Sequence, residues 1–428
     1  MKPFVELEVE KLIPGGLGLA RRQGEAILLA GVLPGEKALV ELEGRVRGAR
    51  RGRVERILEP APLRITPDCP LYGRCGGCDF IHIDPAAAHR LKSEAALGDL
   101  AGRAGVALEL VESPRRERYR ARATLHLGRD ERGRPAVGFH DHGRRVVEAE
   151  DCRLLAPELL PLVTRLRAWA AELPPAAAGA EISLARGEDG GLMVSLSPAP
   201  GLPWAALEQL PDLLAGLAPN PAILARPRAN SPLWRLSGPA RLTAAVWPEW
   251  SLTLRAAPGG FTQINPAVNY LMVRQILALG GPARPGDQAL DLYSGLGNIA
   301  LPLLKSGWAV TAVEESAVGA AAARENGRRL AALTLSRGRS EKVGAGLVKN
   351  GRTFGLVVLD PPRAGAPNLA PALAALRPRR IIYLACHPAV LHRDLPALAS
   401  LGYGLTRLLA LDMFPRTSHL EALALLER

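Results

Sequence analysis

The feature that most limits how this chain can fold is the run Asp291-Leu-Tyr-Ser-Gly295-Leu-Gly297-Asn298, which begins inside the apolar stretch 289–293. Apolar residues, then a glycine turn, then a helical pattern from Asn298 describe a strand that ends in a close backbone turn and enters a helix. The same alternation continues. Residues 308–313 read as a second strand before an alanine-rich helix, and 356–359 and 381–384 read as two more strands. Strands alternating with helices predict a parallel sheet in an α/β domain. Glycines let the chain approach a ligand, and Glu314, at the end of the second strand, can accept hydrogen bonds from ribose hydroxyls. This geometry serves a nicotinamide dinucleotide as well as S-adenosylmethionine, because Gly295-x-Gly297-x-x-Ala300 nearly matches a dinucleotide fingerprint.

The tetrapeptide Asp360-Pro361-Pro362-Arg363 separates the two readings. It follows the strand 356–359, and ligands in such sheets sit beyond the carboxyl ends of the strands. Two prolines hold a carboxylate on a rigid loop beside the cofactor, an element a dehydrogenase does not need. Cys386, in Tyr383-Leu-Ala-Cys386-His387-Pro388, again follows an apolar strand, and Glu421 lies in the tail Met413-Phe-Pro-Arg-Thr-Ser-His419-Leu-Glu421. Singly, a cysteine there is a buried small hydrophobe and a glutamate a surface charge. Together they suit a reaction that needs a thiolate nucleophile and a base.

Cys69, Cys75 and Cys78 fall in Cys-Pro-Leu-Tyr-Gly-Arg-Cys-Gly-Gly-Cys, and Cys152 can supply a fourth thiolate from far along the chain. Four thiolates fit an iron–sulfur cluster or structural zinc. The spacing departs from paired zinc knuckles and from the C-x3-C-x2-C of radical S-adenosylmethionine enzymes. An odd total of five cysteines, with no secretory signal at the N-terminus, argues against a disulfide framework.

The remaining organisation points to a polyanionic partner. There are 54 Lys and Arg against 42 Asp and Glu, a net charge of +12. Short apolar runs separated by glycine turns make 3–58 a small all-β module, and six arginines between Arg45 and Arg56 form its candidate nucleic-acid surface. Residues 61–84 predict a ligand-binding loop, 85–104 a helix starting at Asp84-Pro85, and 119–255 a mixed region with a strand near 121–127 and a helix near 156–173. The expected division is 1–60 as an RNA-binding β-barrel, 61–255 as a central α+β domain with the cysteine loop, and 256–428 as the α/β domain, with part of 85–120 docking on the last. No apolar run is long enough to span a membrane, and the expectation is a soluble cytoplasmic protein with no obligate protein partner.

Cys-x5-Cys-Gly-Gly-Cys, Asp-Leu-Tyr-x-Gly-x-Gly-Asn, Leu-Asp-Pro-Pro-Arg, the Cys-x-Pro strand end and Phe-Pro-x-Thr-x-His-x-Glu occur here in one order. This resembles the bacterial RNA 5-methyluridine methyltransferases, in particular the 23S ribosomal RNA branch with an N-terminal TRAM domain. The resemblance spans nearly the whole chain. It implies a Rossmann-like S-adenosylmethionine-dependent methyltransferase domain behind an OB-like TRAM barrel, acting on C5 of a loop or single-stranded uridine through a covalent cysteine–C6 adduct. It implies Cys386 as nucleophile and Glu421 as base, and a [4Fe–4S] cluster on Cys69, Cys75, Cys78 and Cys152. It implies cofactor contacts at Gln263, Tyr293, Asn298, Glu314 and Asp360, beside the Gly295 and Gly297 turn. Phe261 and Gln263, in Gly-Gly-Phe-Thr-Gln-Ile-Asn, match the stretch near the target base. Four positions depart from the pattern: Ser294 for a frequent cysteine, His387 for asparagine, Arg416 for histidine, and Arg339 where an aspartate usually lies beside the adenine. The alternatives are a transfer RNA uridine methyltransferase, an iron–sulfur NAD oxidoreductase, and a non-catalytic RNA-binding protein. The cysteines are expected in a different domain from Cys386, in a structural role.

Overall fold

In the first strand apolar side chains alternate with charged ones, so Val5, Leu7 and Val9 point one way and Glu6, Glu8 and Glu10 the other. In the computed structural model, which describes residues 4–46, 48–141, 143–217, 221–228 and 231–428, that pattern closes a barrel. Strands β1 (Phe4–Leu12), β2 (Gly18–Arg22), β3 (Glu25–Leu29), β4 (Lys37–Val46) and β5 (Ala49–Glu59) pair in the order β1-β2-β3-β5-β4, and β4 returns to β1. The interior is filled by Val5, Leu7, Val9, Ile27, Leu29 and Val40. Of the six arginines, Arg45, Arg50 and Arg53 form ion pairs with Glu25, Glu41 and Glu55, and Arg47 lies outside the described residues. Among the described residues, Arg51 and Arg56 are exposed and make no ion pair.

Helix α1 (Pro85–Ala104) starts where the sequence places it. The Asp84 side chain accepts from the Ala86 N–H at 2.7 Å, proline occupies the first turn, and Gly105 closes the end in the left-handed conformation. It buries Leu97, Leu100 and Ala101 in the core of the C-terminal sheet, and β6 (Leu108–Val111) joins that sheet as an edge strand.

Seven strands follow: β7 (Arg122–Arg129), β8 (Pro135–His140), β9 (Val146–Glu148), β10 (Glu181–Arg186), β11 (Leu192–Ser197), β12 (Ala222–Ala225) and β13 (Trp234–Ser237). They form one sheet, β13-β12-β11-β10-β7-β8-β9. Helix α2 (Leu160–Ala171) and the short α3 (Trp204–Glu208) and α4 (Leu210–Leu213) cover the face carrying Leu125, Ile182 and Val194. The hairpin β14 (Leu242–Trp247) and β15 (Leu252–Ala256) packs on the C-terminal core through Trp247, Leu254 and Ala256 against Val273, Leu301 and Ala322. A division at 255/256 therefore cuts β15 from its hydrophobic partners.

The last layer contains β16 (Gln288–Leu292), β17 (Ala309–Glu314), β18 (Leu333–Arg337), β19 (Leu356–Leu359), β20 (Arg380–Ala385), β21 (Gly404–Leu411) and β22 (Glu421–Glu427). With β6 they form an eight-stranded sheet, β18-β17-β16-β19-β20-β22-β21-β6. Helices α5 (Pro266–Gly280), α6 (Ala300–Lys305), α7 (Ala317–Gly327), α8 (Ser340–Lys349), α9 (Ala370–Ala375) and α10 (Ala389–Ala399) cover its two faces over two apolar cores. The sheet is not wholly parallel as expected: β22 runs antiparallel to both β20 and β21. It enters by the connection 412–420, which is too short for the crossover a parallel strand requires. Helix α6 begins at Ala300 instead of Asn298, because the glycine turn occupies the intervening residues. No helix among the described residues is long and apolar enough to cross a membrane.

Candidate active site

Four parallel strands and one reversed strand bring their ends to one place. Leu292 and Leu359 pair across β16 and β19, so Tyr293 and Asp360 leave the sheet side by side. Ala385 pairs with Ala422 in the antiparallel ladder of β20 and β22. One step further along that register, Cys386 stands opposite Glu421. A cysteine and a glutamate far apart in sequence become neighbours because β22 is antiparallel.

These residues open onto a cavity of about 930 Å³. Phe261, Gln263, Tyr293, Gly295, Glu314, Asp360, Cys386 and Glu421 all line it. Asn298 does not: its side-chain amide forms a reciprocal pair with Asn269, at 2.8 and 3.0 Å. Gly297 serves the turn instead of the lining. Tyr293, Gly295 and Gly297 adopt φ of 64°, 57° and 94°, left-handed values that suit glycine and strain tyrosine. The Glu314 carboxylate accepts from the Gly295 N–H at 2.8 Å and the Ser316 N–H at 2.6 Å, which fixes the turn against the end of β17.

The electrostatics follow from burial. Asp291, wholly enclosed beneath the turn, is pushed well above its ordinary value by desolvation, and repulsion from Asp360 adds to this. Desolvation raises Asp360 to about 6. Glu421 is 4% exposed, and burial followed by Asp360 pushes it well above the usual range, making it a stronger base than a free carboxylate. Cys386 rises to about 11, first through burial and then through Glu421 and Asp360, while Arg363 opposes the shift. Phe261 is 65% exposed at the mouth, with the Arg122 guanidinium 5.3 Å from its ring centre.

The other wall comes from the seven-stranded sheet and its approaches: Tyr119, Arg120, Phe139 and His140. No sequence motif marks these four, whereas Arg363 and His419, on the near side, fall within motifs that give them no role of their own. The Arg-x-Arg-x of 120–123 carries no motif by itself, and its place depends on how two sheets pack.

Cys69, Cys75, Cys78 and Cys152 line a second, small cavity of about 40 Å³, and none forms a disulfide. Gly77, Arg120 and Phe139 belong to the walls of both cavities. The cysteine nest therefore adjoins the Cys386 cavity, because the loop 69–78 folds against the end of β8. The Gly76 N–H donates to the His140 carbonyl at 3.1 Å, and a Cβ at Gly76 would lie 2.9 Å from that oxygen. The Gly77 N–H points to Cys75 Sγ at 3.4 Å. Burial pushes the Cys78 thiol up to about 12, with Cys152 and Cys75 adding to the shift. Arg416, with φ 68°, lines this cavity and pairs with Asp68 and Glu117.

The fold matches a crystal structure of Pyrococcus abyssi tRNA (uracil-54, C5)-methyltransferase in complex with S-adenosyl-L-homocysteine, with a TM-score of 0.75 at 23% identity over 99% of this chain and 100% of that one. That likeness shows the fold: an α/β domain of Rossmann-like architecture behind a barrel and a mixed central region. The family model for tRNA (Uracil-5-)-methyltransferase matches residues 249–428. The chain is 32% identical to the 23S rRNA (uracil(1939)-C(5))-methyltransferase RlmD of Pectobacterium atrosepticum, over 97% of this chain and 92% of that protein. It is 36% identical to the RlmD of Salmonella choleraesuis, over 100% of this chain and 97% of that protein. The chain belongs to the family of S-adenosylmethionine-dependent RNA (uracil-C5)-methyltransferases. That membership removes the oxidoreductase alternative.

Proposed function

We propose that this enzyme methylates C5 of a uridine in 23S ribosomal RNA, with Cys386 as nucleophile and Glu421 as the base that ends the reaction. The observation that carries the roles is the β20–β22 register, which sets a thiol against a buried carboxylate at the cavity shared with Asp360. The full-length similarity to the RlmD proteins supports the ribosomal substrate.

C5 of uracil is too weak a nucleophile to take a methyl group unaided. Cys386 Sγ adds to C6, and C4–C5 becomes an enolate whose C5 is electron-rich. S-adenosylmethionine supplies an electrophilic methyl group there. Glu421 then takes the C5 proton, and the C6–S bond breaks to restore the aromatic ring and the thiolate. Its raised proton affinity suits that step. Gln263, Tyr293, Gly295, Glu314 and Asp360 surround the cofactor in this reading, with Gly297 shaping the turn, and Phe261 stacks on a uracil turned out of its helix. Asn298 supports the turn through Asn269.

We assign the four-cysteine nest to a [4Fe–4S] cluster. Its support is the donor set: four thiols around one small cavity, a glycine at 76 that no side chain could replace without displacing His140, and Arg120 and Arg416 on the wall, whose charges favour the thiolates of Cys75 and Cys78. The cluster enters no step above.

Methyl transfer from labelled S-adenosylmethionine to separate 23S rRNA and tRNA transcripts, followed by nucleoside analysis, tests the substrate. The expected product is 5-methyluridine in the ribosomal transcript. Label confined to the tRNA would overturn the substrate while leaving the chemistry intact.

A further inference from the structure

Lys92 lies on α1, outside every motif that identifies the active site, and its ammonium is nearly sealed from solvent at 4% exposure. Nζ donates to the carbonyls of Phe414, Thr417 and His419 at 3.0, 3.1 and 2.9 Å. It also stands 2.7 Å from Asp412 Oδ1. All four acceptors belong to the connection 412–420 between β21 and β22, which ends at Glu421.

An ammonium has three protons and no rotational preference of its own, so it can gather carbonyls that point inward from an irregular loop. Burying it is costly unless all of them are used, and here four acceptors surround it. Burial draws the Lys92 pKa down and Asp412 works against that shift. Other grips on the connection are local: Ser418 donates to Asp79, Tyr119 to the Pro415 carbonyl, and Arg416 pairs with Asp68 and Glu117. Lys92 alone among these reaches from Asp412, where the connection begins, to His419, two residues before Glu421.

We propose that Lys92 is a positioning residue for Glu421, fixing the carboxylate where the C5 proton must be removed. The inference rests on the reading of Glu421 as the base. Cys386 is held by β20 and does not depend on this connection, so addition at C6 and methyl transfer are insensitive to Lys92. Proton removal and release of the thioether are not.

The test uses the full-length enzyme with Lys92→Met, Lys92→Arg, and the double variant Lys92→Met/Asp412→Asn, which leaves no lone buried carboxylate. Each is compared with Glu421→Gln on a 23S rRNA transcript and on the same transcript containing 5-fluorouridine. S-adenosylhomocysteine affinity and the rate of fluorouridine adduct formation are expected to match the wild type. With ordinary uridine, turnover falls by about tenfold or more, a loss of the size expected for a displaced general base, and a methylated protein–RNA adduct accumulates. Hydrogen exchange is expected to quicken in 412–421 and nowhere else. Loss of all these functions in parallel, or unchanged exchange in 412–421, overturns the proposal. If Glu421→Gln accumulates adduct and the Lys92 variants do not, the base assignment stands and the Lys92 inference falls. If Glu421→Gln turns over normally, the base assignment itself is wrong.

Discussion

Cys386 is a poor thiolate at rest. Burial and two carboxylates favour its neutral form, so the charged form appears only toward pH 11. The sign is fixed by that shift: alkylation by iodoacetamide rises with pH and keeps rising beyond the ordinary thiol range of about 8.5. Mass spectrometry of the Cys386 peptide is expected to give a midpoint near 11. A midpoint at about 8.5, the value of an unperturbed thiol, contradicts the burial argument. Residue by residue, the sequence carried Cys386, Glu421, Asp360 and the glycine turn, because each sits in a local motif. It did not carry Lys92 or His140, whose significance lies in what distant chain segments bring against them.

At the level of elements, the informative case is β22. The sequence marks Glu421 only as the end of a motif, and shows neither the strand it opens nor that strand's direction. The short connection 412–420 forces the reversal, and the reversal puts Glu421 opposite Cys386. The turn after β16 was legible for the opposite reason: positive φ at Gly295 and Gly297 is a local demand that only a few residue types meet. Asn298 shows the limit of motif reading, since the position matched but its amide is spent on Asn269. The cysteine loop offers a test at this scale. A methyl group at Gly76 meets the His140 carbonyl at 2.9 Å, so loop and β8 must separate. Gly76→Ala is expected to lower stability by about 1–3 kcal/mol, the range for overpacking, and to reduce the iron retained after anaerobic purification. Thermal unfolding and metal analysis check this. Full iron content with an unchanged melting temperature would remove the fit argument for the nest.

Across the whole molecule, the two large sheets meet at the catalytic cavity and the barrel packs beside them. The barrel does not hang free: Leu12 and Leu33 pack with Phe80 and Ile83 beside the cysteine loop, and Gly16 lies against Phe80 and Ser418. Removing the barrel would therefore uncover apolar surface next to the site. Charge reversal is the cleaner test of its proposed RNA role. Arg51 and Arg56 are exposed and without ion pairs among the described residues, unlike Arg45 and Arg53. Arg51→Glu/Arg56→Glu is expected to weaken RNA binding and reduce its logarithmic salt dependence by about two, one for each lost phosphate contact, while S-adenosylhomocysteine affinity is unchanged. Titrations at several salt concentrations measure both, and an unaltered slope would locate the RNA surface elsewhere.

The proposed reaction divides its labour between a thiol that makes the adduct and a carboxylate that ends it. Denaturing gels of enzyme mixed with uridine-containing RNA and S-adenosylmethionine, run for Cys386→Ala and Glu421→Gln, test it most directly. Cys386→Ala is expected to give no product and no covalent species, even with 5-fluorouridine. Glu421→Gln is expected to accumulate a methylated protein–RNA adduct that survives denaturation. Normal turnover by Glu421→Gln, or a fluorouridine adduct formed by Cys386→Ala, would contradict the account.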